Sequence, residues 1–149
     1  EIYTLSLHDA LPICGHLLAR DKKQIVGILI SSREYERAVS IIETGIREYL
    51  KGLGKEFSME DQKEIHLASE YTKGGYGQYD EEIEQCIREE FALNGVAMDG
   101  TYTGKAFLGM EHYIEEHQIS GKKILFIHTG GTPLFYDWLG TQKKDLGRL

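Results

Sequence analysis

Short apolar runs alternate with amphipathic repeats along this chain, and their order predicts its elements. Ile25, Val26, Ile28, Leu29 and Ile30 form a continuous, mostly β-branched run within Gln24 to Ile30, the pattern of a buried parallel strand. A helix should follow. Ser31 and Glu34 suit a capping box, and Tyr35, Ala38, Val39, Ile42, Ile46, Tyr49 and Leu50 recur on one helical face until Gly52 and Gly54. The polar segment from Lys51 to Lys63 predicts a loop with a helical turn starting near Ser58, and Glu64 to Ser69 a short second strand.

Asp80 then caps a helix with Ile83, Cys86, Ile87 and Phe91 inward, stopped at Asn94-Gly95. Val96 to Met98 is extended. A further helix starts near Gly104 and buries Ala106, Phe107, Met110, Tyr113 and Ile114, with His117 on the same face. Gly121 turns the chain into an apolar run, Ile124 to His128, which predicts a strand ending in Thr129-Gly130-Gly131. Strand and helix patterns alternate throughout, so the expected class is α/β: three α/β/α layers around a mainly parallel sheet. In such folds ligands gather beyond the carboxyl ends of strands, where a glycine pair lets the backbone approach them.

Composition narrows the chemistry. With 149 residues, 41% hydrophobic and 28% charged, the chain suits one globular domain or a large piece of one. Its net charge of −7 and scattered basic residues argue against nucleic acid as a partner. No apolar stretch approaches the ~20 residues needed to span a bilayer. Cys14 and Cys86 form neither a CxxC pair nor a disulfide framework, so a reducing, cytoplasmic setting is expected. His112 and His117 lack the i, i+4 spacing of a zinc helix, and no metal is expected. His128 reads as a strand residue with a satisfied ring.

Three motifs stand in order: Gly74-Gly75-Tyr76-Gly77, then Tyr102-Thr103-Gly104-Lys105-Ala106-Phe107, then Ile124 to Gly131. Together they resemble the C-terminal part of the D-cysteine desulfhydrase and 1-aminocyclopropane-1-carboxylate deaminase family, from about Gly15 to Trp138. The resemblance implies pyridoxal 5′-phosphate as cofactor, a partial tryptophan-synthase-β-like domain (fold type II) over residues 14–149, a small amino acid as substrate and a homodimer for the intact enzyme. It also implies site residues. Tyr102 and Tyr76 match the catalytic tyrosines, while Thr129, with Gly130, faces the pyridine nitrogen. A hydroxyl there does not favour a protonated ring, which suits elimination and deamination.

Thr103 bears on the substrate, because the family's residue at this place is typically glutamate in the cyclopropane-carboxylate deaminases and threonine in the desulfhydrases. Threonine favours β-elimination from a thiol-bearing D-amino acid, giving an α-keto acid, ammonia and sulfide. Gly100-Thr101 stands where the family more often has Pro-Val, a change expected to loosen the approach to Tyr102. Lys105 is expected on the first turn of its helix; the resemblance places the cofactor-bearing lysine and the phosphate loop upstream of this chain, and activity is not expected from the chain alone.

Residues 1–13 read differently from the rest. Ser6 to Ile13 is similar to translated sequencing-adapter sequence, so a non-native leader is expected there; the alternative is an ordinary helix ending at Pro12. Two other functions remain open: an α/β module binding an anion or nucleotide at the Thr129 turn, and an inactive subunit that pairs with a full-length enzyme.

Overall fold

The computed structural model describes residues 7–20, 22–31 and 34–146. They form, in order, α1 (Leu7–Ala19), β1 (Val26–Ile28), α2 (Tyr35–Gly52), α3 (Met59–Gln62), β2 (His66–Ala68), α4 (Glu81–Asn94), α5 (Thr103–Glu116) and α6 (Thr132–Leu146). The chain divides into two compact units, residues 1–29 with 33–69, and residues 30–32 with 70–149.

In the first unit β1 and β2 pair in parallel, Val26 opposite His66 and Ile28 opposite Ala68, as the α/β pattern predicts. Gly27 permits the pairing at close range, since a Cβ there would meet Leu67 Cδ2 at 2.8 Å. The predicted face of α2 is buried at Ala38, Ile42, Ile46 and Leu50, whereas Tyr35 and Tyr49 reach solvent at its margins. These aliphatic residues meet Ala10, Ile13 and Cys14 of α1 and Ile65 in one core. Each such side chain contributes roughly 1.5–3 kcal/mol on burial. The start of α2 differs from the expected capping box, for its N-cap is Glu34 and no side chain bonds there. Ser58 does form a capping box, with Asp61, and so starts α3 where the polar segment turns.

A helix is present here, but it does not end at Pro12 as in the alternative to a leader: α1 runs on to Ala19, with Pro12 inside it. The division drawn at residue 13 therefore falls within α1, while residues 1–6 lie outside the described residues.

The second unit is helical. Asp80 caps α4 by accepting from Ile83 N, and Gly95 closes it in the left-handed region, φ 70°. Ile83, Cys86 and Ile87 of α4 meet Met98, Leu108 and Phe135 in a second core. In α5 the buried residues are Thr103, Gly104, Lys105, Leu108 and Gly109, so the expected face centred on Phe107, Met110 and Tyr113 is only half-buried. A Cβ on Gly104 would meet Ile87 Cγ1 at 2.7 Å, and this closeness rotates α5 onto α4 by its small residues. The predicted strand at Ile124 to His128 is absent. Among the described residues nothing pairs with it, and a strand exists only where a neighbour takes up its N–H and C=O groups. Its anchor is Phe126, edge-on to Phe107 at 5.1 Å. After Gly131 comes α6, which was not foreseen; Pro133 in its first turn needs no hydrogen-bond acceptor, and Phe135 N donates to Gly131 O. Among the described residues no helix is long and apolar enough to cross a membrane.

Candidate functional site

The residues singled out from the sequence lie in the second unit. Tyr76 rides on a loop in which Lys73, Gly74, Gly75 and Gly77 all have positive φ, from 46° to 105°. Glycine suits three of these positions because a Cβ would strain them. Gly75 N donates to Thr72 O and Gln78 N to Gly75 O, closing two successive turns around the tyrosine. Tyr102 precedes α5. The phenols of Tyr76 and Tyr102 hydrogen-bond each other, their rings set edge to face with centroids 5.7 Å apart. Both rings are more than one-third exposed, so an incoming molecule can reach them.

Asp99 builds the turn beneath Tyr102. Its carboxylate is 2% exposed and accepts from Thr101 N at 2.8 Å, Tyr102 N at 2.7 Å and Thr103 N at 3.1 Å. Thr103 Oγ1 donates to the same carboxylate at 2.9 Å and accepts from Asp99 N at 3.0 Å. These bonds satisfy amide groups that an approaching helix leaves without partners, and charge on the acceptor strengthens each one. The approach to Tyr102 is therefore held firmly, not loosened by Gly100. The glycine makes room for Tyr79, whose ring carbon would lie 2.8 Å from a Cβ on residue 100.

The third motif joins the same place. Gly131 (φ 85°) lies so close to Asp99 that a Cβ would fall 1.9 Å from Oδ2, and 3.4 Å from Thr103 Oγ1. Gly130 (φ 142°) faces open space, and Thr129 beside it is exposed. Tyr76, Tyr102, Thr103 and the Gly130-Gly131 turn are thus gathered in one unit, although they come from three separate segments. Thr103, read as a site residue, is 2% exposed with its hydroxyl engaged by Asp99. Asp99 was missed. An Asp-Gly pair just ahead of a helix was the available signal, since aspartate bonds backbone amides a few residues on.

Several charged groups elsewhere in the unit have partners. Lys105, 1% exposed, donates from Nζ to Gly75 O at 2.6 Å, Thr72 O at 3.0 Å and Ile30 O at 3.3 Å. Burial lowers its pKa from the ordinary lysine value, an effect Asp80 opposes. His112 Nε2 lies 3.2 Å from Glu82, which also bonds Lys73. His117 instead stacks on Tyr113 and bonds its carbonyl, so the two histidines have separate partners. His128 bonds Ala97 O at 3.0 Å.

These positions can be compared with what pyridoxal phosphate, the cofactor that the resemblance implies, would need. An exposed hydroxyl at Thr129, a glycine at 130 with no side chain to obstruct it, and two reachable phenols suit the ring and substrate side of such a cofactor. Lys105 does not suit the covalent attachment, because its ammonium is spent on three carbonyls.

The phenol pair, Asp99 and the Gly130-Gly131 turn are the groups of the second unit that could line a small-molecule site. No family model matches the chain. It is 37% identical over 106 residues to a Pyrococcus horikoshii protein named "Putative 1-aminocyclopropane-1-carboxylate deaminase", covering 71% of this chain and 30% of that one. A Pyrococcus abyssi protein of the same name is 28% identical over 121 residues, 81% of this chain and 35% of the relative. A crystal structure described as an ACC deaminase homologue superposes with a TM-score of 0.72 at 31% identity, over 85% of this chain and 37% of that one. The chain resembles part of this deaminase family, and it spans about a third of the length of the relatives it matches.

Proposed function

We propose that this chain forms part of a pyridoxal-phosphate-dependent enzyme that removes the amino group of a small amino acid. The observation that carries the reading is the Tyr76–Tyr102 phenol pair, set in one unit with the Gly130-Gly131 turn. The named deaminase relatives support it. When bound, pyridoxal phosphate supplies an electron sink for the substrate's α-carbon. Thr129, which is exposed, would offer the cofactor a neutral hydroxyl, and Gly130 would leave room for it beside the backbone. Tyr102, its backbone fixed by Asp99, holds or moves a proton at the substrate, while Tyr76 shares that proton through the phenol–phenol bond.

For the substrate we favour a thiol-bearing D-amino acid. Thr103 supports this choice, because a neutral residue stands where a glutamate is typical of the cyclopropane-carboxylate deaminases. D-cysteine and water would then yield pyruvate, ammonia and hydrogen sulfide. The relatives' names favour the second reading, in which water and the cyclopropane substrate give 2-oxobutanoate and ammonia. Grafting Gly15 to Trp138 into the corresponding part of the Pyrococcus horikoshii protein separates the two. Sulfide release from D-cysteine is expected; 2-oxobutanoate alone would replace the first reading by the second, and no product from either would end both.

The 149 residues by themselves are expected to turn over neither substrate. A cofactor absorbance band that borohydride fixes onto a lysine of this chain would overturn that. The reading is completed by a homodimer, which the family resemblance implies, and by a reducing cytoplasm, with which the two free, buried thiols agree.

A further inference from the structure

The loop that carries Tyr76 meets a charge from another element. Its left-handed backbone turns carbonyls inward, and two of them, Thr72 O and Gly75 O, converge with Ile30 O on the ammonium of Lys105. An ammonium has three protons, and here it meets three acceptors. Neutral hydrogen bonds already engage Thr72 O and Gly75 O within the loop, so the lysine adds a charge-assisted bond to each. Lys105 also belongs to the first turn of α5, directly after the Asp99-held segment that fixes Tyr102. One side chain therefore spans from the Tyr102 turn to the Tyr76 loop.

We propose that Lys105 is a positioning residue, an internal cation whose ammonium sets the Gly74 to Gly77 loop and so holds the Tyr76 phenol on that of Tyr102. The inference deepens the proposed function, since it concerns the same phenol pair. It does not depend on turnover. Removing the ammonium takes the charge-assisted bond from three inward carbonyls, and a small ammonium ion with N–H donors can supply it again.

The test uses the 149-residue chain labelled with carbon-13 at tyrosine Cζ. Tyr76→Phe and Tyr102→Phe assign the two signals, and in the unsubstituted chain each substitution shifts the other tyrosine's signal. In Lys105→Ala that mutual dependence should be lost, with the Tyr71 signal unmoved, and ethylammonium should restore it. Tetramethylammonium, which has no N–H, should not. Lys105→Met, which fills the stem without the charge, should lose the dependence and gain nothing from ethylammonium. Persistence of the dependence in Lys105→Ala, or equal rescue by both ions, overturns the proposal.

If the substituted chains do not fold, the unsubstituted one decides. Reductive methylation at neutral pH should modify the exposed Lys51 and spare Lys105, as read from peptide masses. Lys105 modified as fast as Lys51 would show that its ammonium is not held as described. A graft into the Pyrococcus horikoshii protein that releases neither product, beside an intact phenol pair in this chain, would count against the proposed function and leave this inference standing.

Discussion

A Cβ on residue 131 would lie 1.9 Å from Oδ2 of Asp99, so the third motif touches the second through a glycine that has no room to be anything else. Gly131→Ala should lower the unfolding free energy measured in urea by about 1–3 kcal/mol, combining the clash with the strain of a positive φ. Asp99→Ala should cost about 1–3 kcal/mol by leaving the amides of residues 101 to 103 without their acceptor. Because the two side-chain positions compete for one space, the double variant should be less destabilised than the sum. Strict additivity would mean that the two residues do not meet.

Tyr71 is buried and donates to Glu116 Oε2 at 2.5 Å. Burial first, then Glu116, push its pKa from 10.0 up to about 12. The folded state thus keeps a proton that the unfolded state releases. The resulting stability is complete below pH 10 and is lost as the pH rises towards 12. Guanidinium titrations at stepped pH should show that decline, and Tyr71→Phe should flatten it. An unchanged slope in the variant would assign the decline to other groups.

Both thiols should be slow to react. Burial raises the pKa of Cys14, and burial with the nearby Glu111, Glu90, Glu89 and Glu82 pushes that of Cys86 up to about 12. Since the thiolate is the reacting form, iodoacetamide at pH 8 should label neither residue in the folded chain at the rate of free cysteine, and both on unfolding in urea. Equal rates in the two states would contradict the burial.

Ile124, Leu125 and Ile127 are 49%, 83% and 49% exposed, on a segment with no strand neighbour among the described residues. Such an apolar, unpaired backbone favours association. Leu125→Lys should lower hydrophobic-dye binding and concentration-dependent light scattering several-fold, with an unchanged far-ultraviolet circular dichroism spectrum. Scattering that stays the same would place the association elsewhere.

Periodicity in the chain was enough for α2 and α4, since the residues that face their cores repeat at helical spacing and Asp80 and Gly95 mark the ends of α4. It was enough for the parallel β1–β2 pair and for the Ser58 start of α3. It failed at α5, where the inner face is set by how closely Gly104 approaches Ile87, and at Ile124 to His128, where an apolar run states a preference for burial but names no partner. The resemblance of the three motifs singled out Tyr76, Tyr102 and the glycine turn, and the structure gathers them in one unit.

Local order along the chain therefore decides which segments are helical, where several of them stop, and which turns need glycine, because those properties depend on neighbours a few residues away. Gly131 against Asp99, Lys105 under Tyr76 and the pairing of the two phenols were decided only by the tertiary fold. Each is a hydrogen bond or contact between segments far apart in the chain, and its partners become definite only when α5, the Gly74 loop and the Gly131 turn are brought together.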